Sequence, residues 1–334
     1  DELDRLSDAI HEYLRTPVTV AGHTVYVRAS VGVTSGRPDR ADAHSLLRSA
    51  DLALYRAKRN GRNRTVRYTA ELHLEAEARL RTISELQRAI RDGRLRLAYQ
   101  PIVDADSRPF AVEALLRWDH NGELVSPSTF LDLAEDTGLI LPIGAWVMEQ
   151  ACQDVGALRA AVDDLRFVSI NLSSRQLLDE RLPMLLARTL EQQDLGAGGL
   201  AVEIEAEAFM HDEIANGVLD RLDGVGIIVS LDDLDDHHSQ AVLARLHRLP
   251  LRGLKLGRSV VQQLDVDTDG RSASAVRAVL DIATDQGIEV IAQGVETEAQ
   301  ARVLTDLGCR RFQGFLYAPP LDLASLITHA ARAE

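Results

Sequence analysis

The sequence predicts an α/β fold in which a closed (β/α)8 barrel of the TIM type follows a partial α+β half-domain. Apolar runs of strand length recur along most of the 334 residues, and many of them end in a carboxylate or an amide. Each run is followed by a helix-length amphipathic segment, which favours a parallel sheet, and about eight repeats favour closure of that sheet. A barrel takes about 250 residues, so a remainder is left near the N-terminus.

The remainder, residues 1–68, lacks the barrel pattern. Helical periodicity covers 3–14 and 43–60, and residues 24–33 alternate as a strand does. This order of elements predicts a small α+β unit rather than a further repeat of the barrel.

A stretch rich in Ala, Glu, Leu and Arg follows at helical spacing. It predicts a connecting helix at 69–93, between the half-domain and a barrel domain at 94–334. A dimer seam is the alternative for this helix. It is disfavoured because heptads are not sustained over three or four repeats.

The apolar runs of the barrel domain are mostly continuous, as expected of parallel strands that are covered by helices. In a closed barrel the C-terminal ends of the strands face one mouth, where active sites lie. The polar residues at these ends should therefore converge in one cleft. The predicted strands are 95–103, 110–118, 166–172, 200–205, 227–233, 251–256, 289–295 and 310–317.

Seven segments of the barrel domain carry a family resemblance. In chain order they read YQPIV, EALLRW, NLSSRQL, LDD, LK, GVET and QGFLYAPP. This order at barrel-strand spacing resembles the EAL family, bacterial phosphodiesterases that linearise the dinucleotide second messenger cyclic di-GMP. The resemblance spans residues 80–330 and implies the barrel fold, a role in cyclic di-GMP signalling and a cytoplasmic location.

Two segments of the half-domain resemble the second half of a GGDEF domain, the family that makes cyclic di-GMP. They read ASVGVTSG at 29–36 and SADLALYRAKRNGRN at 49–63. The signature loop and the nucleotide-binding first half of that family have no counterpart in the sequence. A half-domain of this kind is not expected to act as a cyclase, and a scaffold or linker role is favoured.

Phosphodiester cleavage at neutral pH needs a nucleophilic water and neutralisation of the phosphate charge, and two Mg²⁺ or Mn²⁺ ions can supply both. These cations prefer carboxylate and amide oxygens. The resemblance implies that one ion is held by four residues and that Asp232 bridges to a second ion on Asp233. Adjacent strand residues point to opposite faces, so a polar strand end is the alternative for this pair. The metal residues are Glu113, Asn171, Glu203, Asp232 and Asp233.

The resemblance also implies a catalytic residue and a ligand-binding set. Lys255 takes the place of the lysine that positions or activates the attacking water. Arg117 suits a phosphate because its planar fork donates two parallel hydrogen bonds, and a salt bridge at the barrel rim is the alternative. The implied ligand-binding residues are Gln100, Glu113, Leu115, Arg117, Asn171 and Gln313.

Two departures from the family pattern lie close to the implied metals. The family's AEGVE reads AQGVE here, so Gln293 stands where a glutamate on the second metal is expected. Glutamine keeps one oxygen but loses the charge, which lowers the affinity for a cation. The family's LKID reads LKLG, so Gly257 replaces an acidic neighbour of the lysine.

Two more departures concern the loop over the metals. The family's E-x-T-E ends in Ala206 instead of the second glutamate, which anchors that loop. The loop itself, 234–240, reads LDDHHSQ, has lost both family glycines and is about two residues longer. The resemblance implies that this loop helps metal binding and the pairing of two barrels, so a homodimer through the barrels stays an open alternative. The anchor of the loop and the loop itself have changed together. This favours drift or repurposing of the site over a single tolerated substitution.

Two other acidic segments invite a metal interpretation. His237 and His238 with Asp235 and Asp236 could form a replacement site, but a solvated charged loop is favoured because adjacent residues rarely bind one ion together. Residues 265–270 match the start of an EF-hand loop, whose twelfth position needs a bidentate glutamate. That position holds Val276, which favours an acidic surface turn.

Three functions are compatible with these residues. The favoured one is a degenerate EAL domain that binds cyclic di-GMP with little or no hydrolysis, with one metal ion rather than two as an option. The second is a slow metal-dependent phosphodiesterase that gives linear pGpG. The third is a protein-interaction module that has lost the ligand.

Composition restricts the remaining classes. A formal charge of −14 and a pI near 5.2 argue against binding of duplex nucleic acid, which needs a basic face. Cys152 and Cys309 are expected to be buried reduced thiols. No run of 18 apolar residues predicts a membrane segment in this chain. The missing initial Met suggests that the chain is cut from a longer parent, and the family resemblance implies that upstream sensory or membrane segments are compatible with that parent.

Overall fold

The computed structural model describes residues 2–36, 42–162, 165–193, 195–205, 213–235, 246, 249–264 and 270–331. The chain divides into two units, Asp1–Leu86 and Gln87–Glu334. The predictions on Ala206, on the histidine pair His237 and His238 with Asp236, and on 265–269 lie outside the described residues.

Among its described residues, the first unit contains two short two-stranded sheets, two helices and the start of a third helix, α3. Strands β1 and β2 form an antiparallel hairpin, and β3 pairs in parallel with β4. The glycine at position 32 lets α2 approach β3, because a Cβ there would lie 2.3 Å from the main-chain oxygen of Ala50. The elements are α1 (Glu2–Arg15), β1 (Val18–Val20), β2 (His23–Val25), β3 (Val31–Val33), α2 (Ala43–Arg59), β4 (Thr65–Arg67) and α3 (Ala70–Arg91).

The strand predicted at 24–33 is wrong as a continuous element. Its start belongs to β2, which folds back on β1 through a tight turn in which Ala21 and Gly22 both have positive φ. Its end belongs to β3, whose partner is β4. Because the two ends pair with different strands, residues 26–30 between them join no ladder.

The second unit is a closed eight-stranded barrel, which confirms the predicted fold class. The sheet runs β5-β13-β12-β11-β10-β9-β8-β6 and closes through the pairing of β5 with β6. The ninth strand, β7, extends β6 as a hairpin. The strands are β5 (Leu95–Asp104), β6 (Pro109–His120), β7 (Glu123–Val125), β8 (Val168–Leu172), β9 (Leu200–Glu205), β10 (Ile228–Leu234), β11 (Leu251–Leu256), β12 (Glu289–Gln293) and β13 (Arg311–Gln313).

One strand departs from the expected parallel sheet. Strand β5 is antiparallel to both of its neighbours, β6 and β13. Residues 105–108 are all that separate β5 from β6, and a connection so short can form only a hairpin, since a parallel crossover needs a dozen or more residues.

Helices cover the outside of the barrel. The described ones are α4 (Leu131–Thr137), α5 (Ile140–Ala161), α6 (Ser174–Leu177), α7 (Leu182–Gln192), α8 (Glu213–Gly224), α9 (Arg258–Gln263), α10 (Arg271–Asp285), α11 (Glu298–Leu307) and α12 (Leu323–Ala330). Tyr99 of β5 is fully buried and donates a hydrogen bond to Asp154 of α5 at 2.5 Å. Strand residues thus alternate between this helical layer and the barrel interior.

Both cysteines are buried and neither is in a disulfide, as expected. Burial raises the pKa of Cys152 to about 11. None of the described helices is long and apolar enough to cross a membrane.

The last two predicted strands are shorter than expected, because the main chain crosses closely at Val295 and Gly314 just beyond their ends. A Cβ at Gly314 would lie 2.0 Å from the main-chain oxygen of Val295. The amide of Val295 donates to the carbonyl of Gln313, and its carbonyl accepts from Leu316. This close crossing fixes the end of β13 against the end of β12.

Gly314→Ala is therefore expected to destabilise the barrel. The added methyl group would meet main-chain atoms that cannot rotate away, so the free energy of unfolding should fall by about 1–3 kcal/mol or more. Denaturant unfolding followed by fluorescence reports on the barrel, because both tryptophans, Trp118 and Trp146, lie in it.

The matched control is Gly156→Ala on the exposed side of α5, where a Cβ meets nothing within 4 Å. Alanine favours a helix, so this variant should gain about 0.5–1 kcal/mol. Equal stability of the two variants would contradict the packing described for Gly314.

Candidate functional site

A buried lysine lies at the centre of the barrel mouth. Lys255 of β11 is 0% exposed, and its Nζ lies 2.7 Å from Oε2 of Glu113 and 2.6 Å from Oε1 of Glu203. The two carboxylates come from β6 and β9, so the ion pairs join three strands. A buried ammonium is tolerated only when such partners replace its water.

Amides complete the surroundings of Glu113. Asn171 donates its Nδ2 to Oε1 of Glu113 at 2.7 Å, and Gln313 donates its Nε2 to Oε2 at 2.7 Å. The Nε2 of Gln313 also lies 3.2 Å from Oε1 of Gln100, whose own Nε2 donates to the carbonyl of Ala318. Burial would raise the pKa of Glu113, but the Lys255 charge and these donors bring it below the usual value. Glu113 is therefore an anion.

The cluster holds more acid than base. Burial, the charge on Glu113 and the charge on Asp232 raise the pKa of Glu203 well above its usual value, and only Lys255 opposes this. Burial first, and then the Glu113 charge, also raises the pKa of Asp232. Three carboxyl groups act on one ammonium, so the cluster has excess negative charge until a proton or a cation joins it.

The side chains fit a divalent cation by their chemistry. Oε2 of Glu203 is buried and has no hydrogen-bond partner among the described residues. Asn171 uses its nitrogen on Glu113, which leaves its amide oxygen for another partner. Oxygen donors of this kind suit Mg²⁺. With Lys255 among the carboxylates, no group of three His, Cys, Asp or Glu in the described chain is arranged to hold a metal ion.

Gln293 occupies one of the positions at which the sequence departs from the family pattern. It lies at the end of β12 and donates its Nε2 to Oδ1 of Asp232 at 2.9 Å. The amide therefore acts towards Asp232 as a hydrogen-bond donor. A carboxylate at this position would instead repel Asp232 unless a cation lay between them.

Asp233 differs from the other implied metal residues. It is exposed, and its φ of 49° is left-handed, which costs a non-glycine residue roughly 1–2 kcal/mol. Its carboxylate lies towards Gly257, where a Cβ would come within 2.3 Å of Oδ1. Asp233 thus lies apart from the residues that the structure brings together with Lys255. These are Gln100, Glu113, Asn171, Glu203 and Gln313.

Two cavities open at the mouth, and Glu113 and Leu115 line both. The larger, of about 480 Å³, also includes Arg117 and Asp232. The smaller, of 270 Å³, includes Gln100, Gln293 and Gln313 among its lining residues. Drug-sized ligands occupy cavities of about 300–1,000 Å³, so a two-part ligand could extend across both.

Arg117 is half-buried in the larger cavity. It donates to the carbonyl of Leu116 at 2.7 Å and forms no salt bridge with any described residue. The rim salt bridge considered from the sequence is therefore not formed within the described chain. The guanidinium keeps donors for an anion.

Sequence reasoning missed three side chains of the smaller cavity. Arg258 donates to Glu296 across its wall at 2.5 Å, and Phe315 is 64% exposed at its edge. Their positions in the sequence were the signal that could have pointed to two of them, because Arg258 follows Lys255 by three residues and Phe315 follows Gln313 by two.

Comparison with known proteins agrees with this architecture. The EAL domain model matches residues 83–320, and the model of the diguanylate cyclase GGDEF domain matches residues 1–64. Similar solved structures include the phosphodiesterase of PaMucR in complex with c-di-GMP, with a TM-score of 0.67, 35% identity and coverage of 73% of this chain and 98% of that chain. The EAL enzyme Bd1971 with cAMP and cyclic-di-GMP bound has a TM-score of 0.71 at 28% identity, covering 87% and 77%.

Two curated relatives come from Pseudomonas aeruginosa. The bifunctional diguanylate cyclase/cyclic di-GMP phosphodiesterase MucR is 33% identical over 98% of this chain and 47% of its own length. The cyclic di-GMP phosphodiesterase NbdA is 34% identical over 96% of this chain and 41% of its own length. This chain thus spans about half the length of these relatives or less. Residues 83–320, the larger part of the chain, carry the match, and the chain belongs to the EAL domain family.

Proposed function

We propose that this chain binds cyclic di-GMP in the cleft at the barrel mouth and hydrolyses it slowly or not at all. The observation that carries the proposal is the hydrogen bond from Gln293 to Asp232. It satisfies a carboxylate that would otherwise need a cation, while the residues implied in ligand binding still line the cleft. A ligand site can outlast catalysis, because a group that acts mainly in the transition state contributes little to ground-state binding.

The two cavities support a ligand with two similar halves. Glu113 and Leu115 line both cavities, so one half of the ligand would occupy the cavity on each side of these two residues. We assign Arg117 to a phosphate, because its guanidinium lies in the larger cavity without a carboxylate partner in the described chain. The solved relatives PaMucR and Bd1971, each described with cyclic di-GMP, support this choice of dinucleotide.

Phosphodiesterases of the EAL family generally depend on divalent metal ions. In this chain we assign the cation, Mg²⁺ or Mn²⁺, to Glu113, Asn171, Glu203 and Asp232. A bound cation would neutralise phosphate charge and acidify the attacking water. Lys255 holds Glu113 and Glu203 in place through its ion pairs, and we assign it to positioning that water.

A second candidate is a metal-dependent phosphodiesterase that forms linear pGpG. The completeness of the Lys255 cluster favours it, since both carboxylates and both amides around the lysine are in place. A calorimetric titration of the chain with cyclic di-GMP in the presence of Mg²⁺, followed by chromatography of the nucleotide, separates the two. Binding with intact nucleotide supports the proposal, rapid conversion to the linear product supports the second candidate, and no binding contradicts both.

Arg117→Ala should weaken the binding of cyclic di-GMP more than tenfold, which corresponds to about 1.4 kcal/mol, because a charge-assisted contact with phosphate is lost. Titration calorimetry measures the change. Arg252→Ala is the control, because this exposed arginine pairs with Asp223 away from the cleft. Equal affinity of both variants would mean that the ligand does not use Arg117.

Gln293→Glu should raise hydrolysis at saturating Mg²⁺ by at least tenfold if charge at this position limits turnover. The added carboxylate would attract the cation and would no longer donate to Asp232. Initial rates of pGpG formation, measured beside the thermal stability in a chelator, test this. Stability in the chelator should fall, because two carboxylates would then face each other.

The control Gln293→Met removes the hydrogen bond without adding charge, and it should gain no activity. An unchanged rate in Gln293→Glu would place the limit on turnover at another residue.

A further inference from the structure

Asp233 has an unusual backbone for a strand residue. Among the described non-glycine residues with positive φ, the five others lie in turns or bends between elements, whereas Asp233 lies within β10. The register between β10 and β11 shifts between Leu231 and Leu234, so Asp233 belongs to a β-bulge. Bulges redirect side chains near active sites. The bulge here decides where the carboxylate of Asp233 points.

Gly257 provides the space into which that carboxylate turns. Oδ1 of Asp233 lies 2.3 Å from the place of a Cβ at position 257, and the carbonyl of Leu234 lies 3.3 Å from it. The amide of Gly257 donates to that same carbonyl at 3.0 Å, which keeps the two segments together. Any side chain at 257 would have to displace Asp233, and the far end of a flexible side chain can move.

The two neighbouring aspartates therefore face different surroundings. Asp232 lines the larger cavity of the cleft. Asp233 is exposed and lines neither of the two cavities described at the mouth. Gln293 donates a hydrogen bond to Asp232. Gly257 leaves the space that the Asp233 carboxylate occupies.

We propose that Gly257 is a positioning residue that lets the Asp233 carboxylate turn away from the cleft and thereby weakens cation binding beside Asp232. This inference rests on the proposed function, since it concerns the cation assigned to that site. The weaker cation binding then results from the direction of the Asp233 carboxylate, although this side chain is still present. A methyl group at position 257 should return Asp233 towards the cleft without changing any charge.

The backbone at position 257 allows this substitution. Gly257 has φ −63° and ψ 152°, an extended conformation that alanine adopts readily. Gly257→Ala therefore tests the contact with Asp233 and does not depend on the backbone conformational freedom of glycine. Gly257→Asp is a less direct test, because it adds a second carboxylate next to the first.

The test is a titration of the full chain with Mn²⁺ alone, in which electron paramagnetic resonance measures the free ion. Gly257→Ala should bind Mn²⁺ at least tenfold more tightly than the unaltered chain or bind an additional ion. Asp233→Asn, which keeps a residue that tolerates left-handed φ, should leave the Mn²⁺ affinity of the unaltered chain unchanged. In the Gly257→Ala background, Asp233→Asn should abolish the gain.

Gly196→Ala is the matched control, because this exposed glycine has nothing within 4 Å of a Cβ and should not alter Mn²⁺ binding. The proposal is overturned if Gly257→Ala gains no Mn²⁺ binding, or if Asp233→Asn weakens binding by the unaltered chain. Because the titration contains no nucleotide, its result is separate from that of the dinucleotide experiment. A chain that fails to bind cyclic di-GMP can still show the gain, and the reverse can also occur.

Discussion

The buried ammonium of Lys255 is the constraint on which the barrel mouth depends. Glu113 and Glu203 are almost fully buried, and each lies within ion-pair distance of this one group. Removal of one partner from a buried ion pair costs about 3–5 kcal/mol, because the other charge is left without water or a counter-charge. The ion pairs therefore fix the positions of β6, β9 and β11 relative to one another at the cleft.

The same electrostatics connects the departures from the family pattern. Three carboxyl groups share one ammonium, and burial first, then the charge on Glu113, raises the pKa of Glu203 and of Asp232. A neutral donor at Gln293 relieves part of this repulsion without a metal ion. A carboxylate there would raise the affinity for a cation but destabilise the cleft in its absence. Affinity for metal and stability without metal are thus opposed at this position.

Much of the barrel could be predicted because its signals are local. Apolar runs with polar ends mark strands, and the first residues of β5, β9 and β11 agree with the prediction. Asn171 and Gln313 were expected at the mouth because of their places at strand ends, and Glu113 because of the family resemblance, and they do meet. Less could be predicted where pairing decides, as in residues 24–33, whose two halves found different partners.

The sequence by itself determined the order of strands, the residue types at their ends and the resemblance that places this chain among EAL domains. Only the tertiary structure decided which atoms meet. Gln293 and Asp232 lie 61 residues apart, and Lys255 and Glu113 lie 142 apart, so no local pattern could show that an amide faces one carboxylate and an ammonium the other. The direction of Asp233 likewise depends on Gly257, a residue of the neighbouring strand's end. Side-chain direction is set by packing between strands, and packing is a property of the closed barrel.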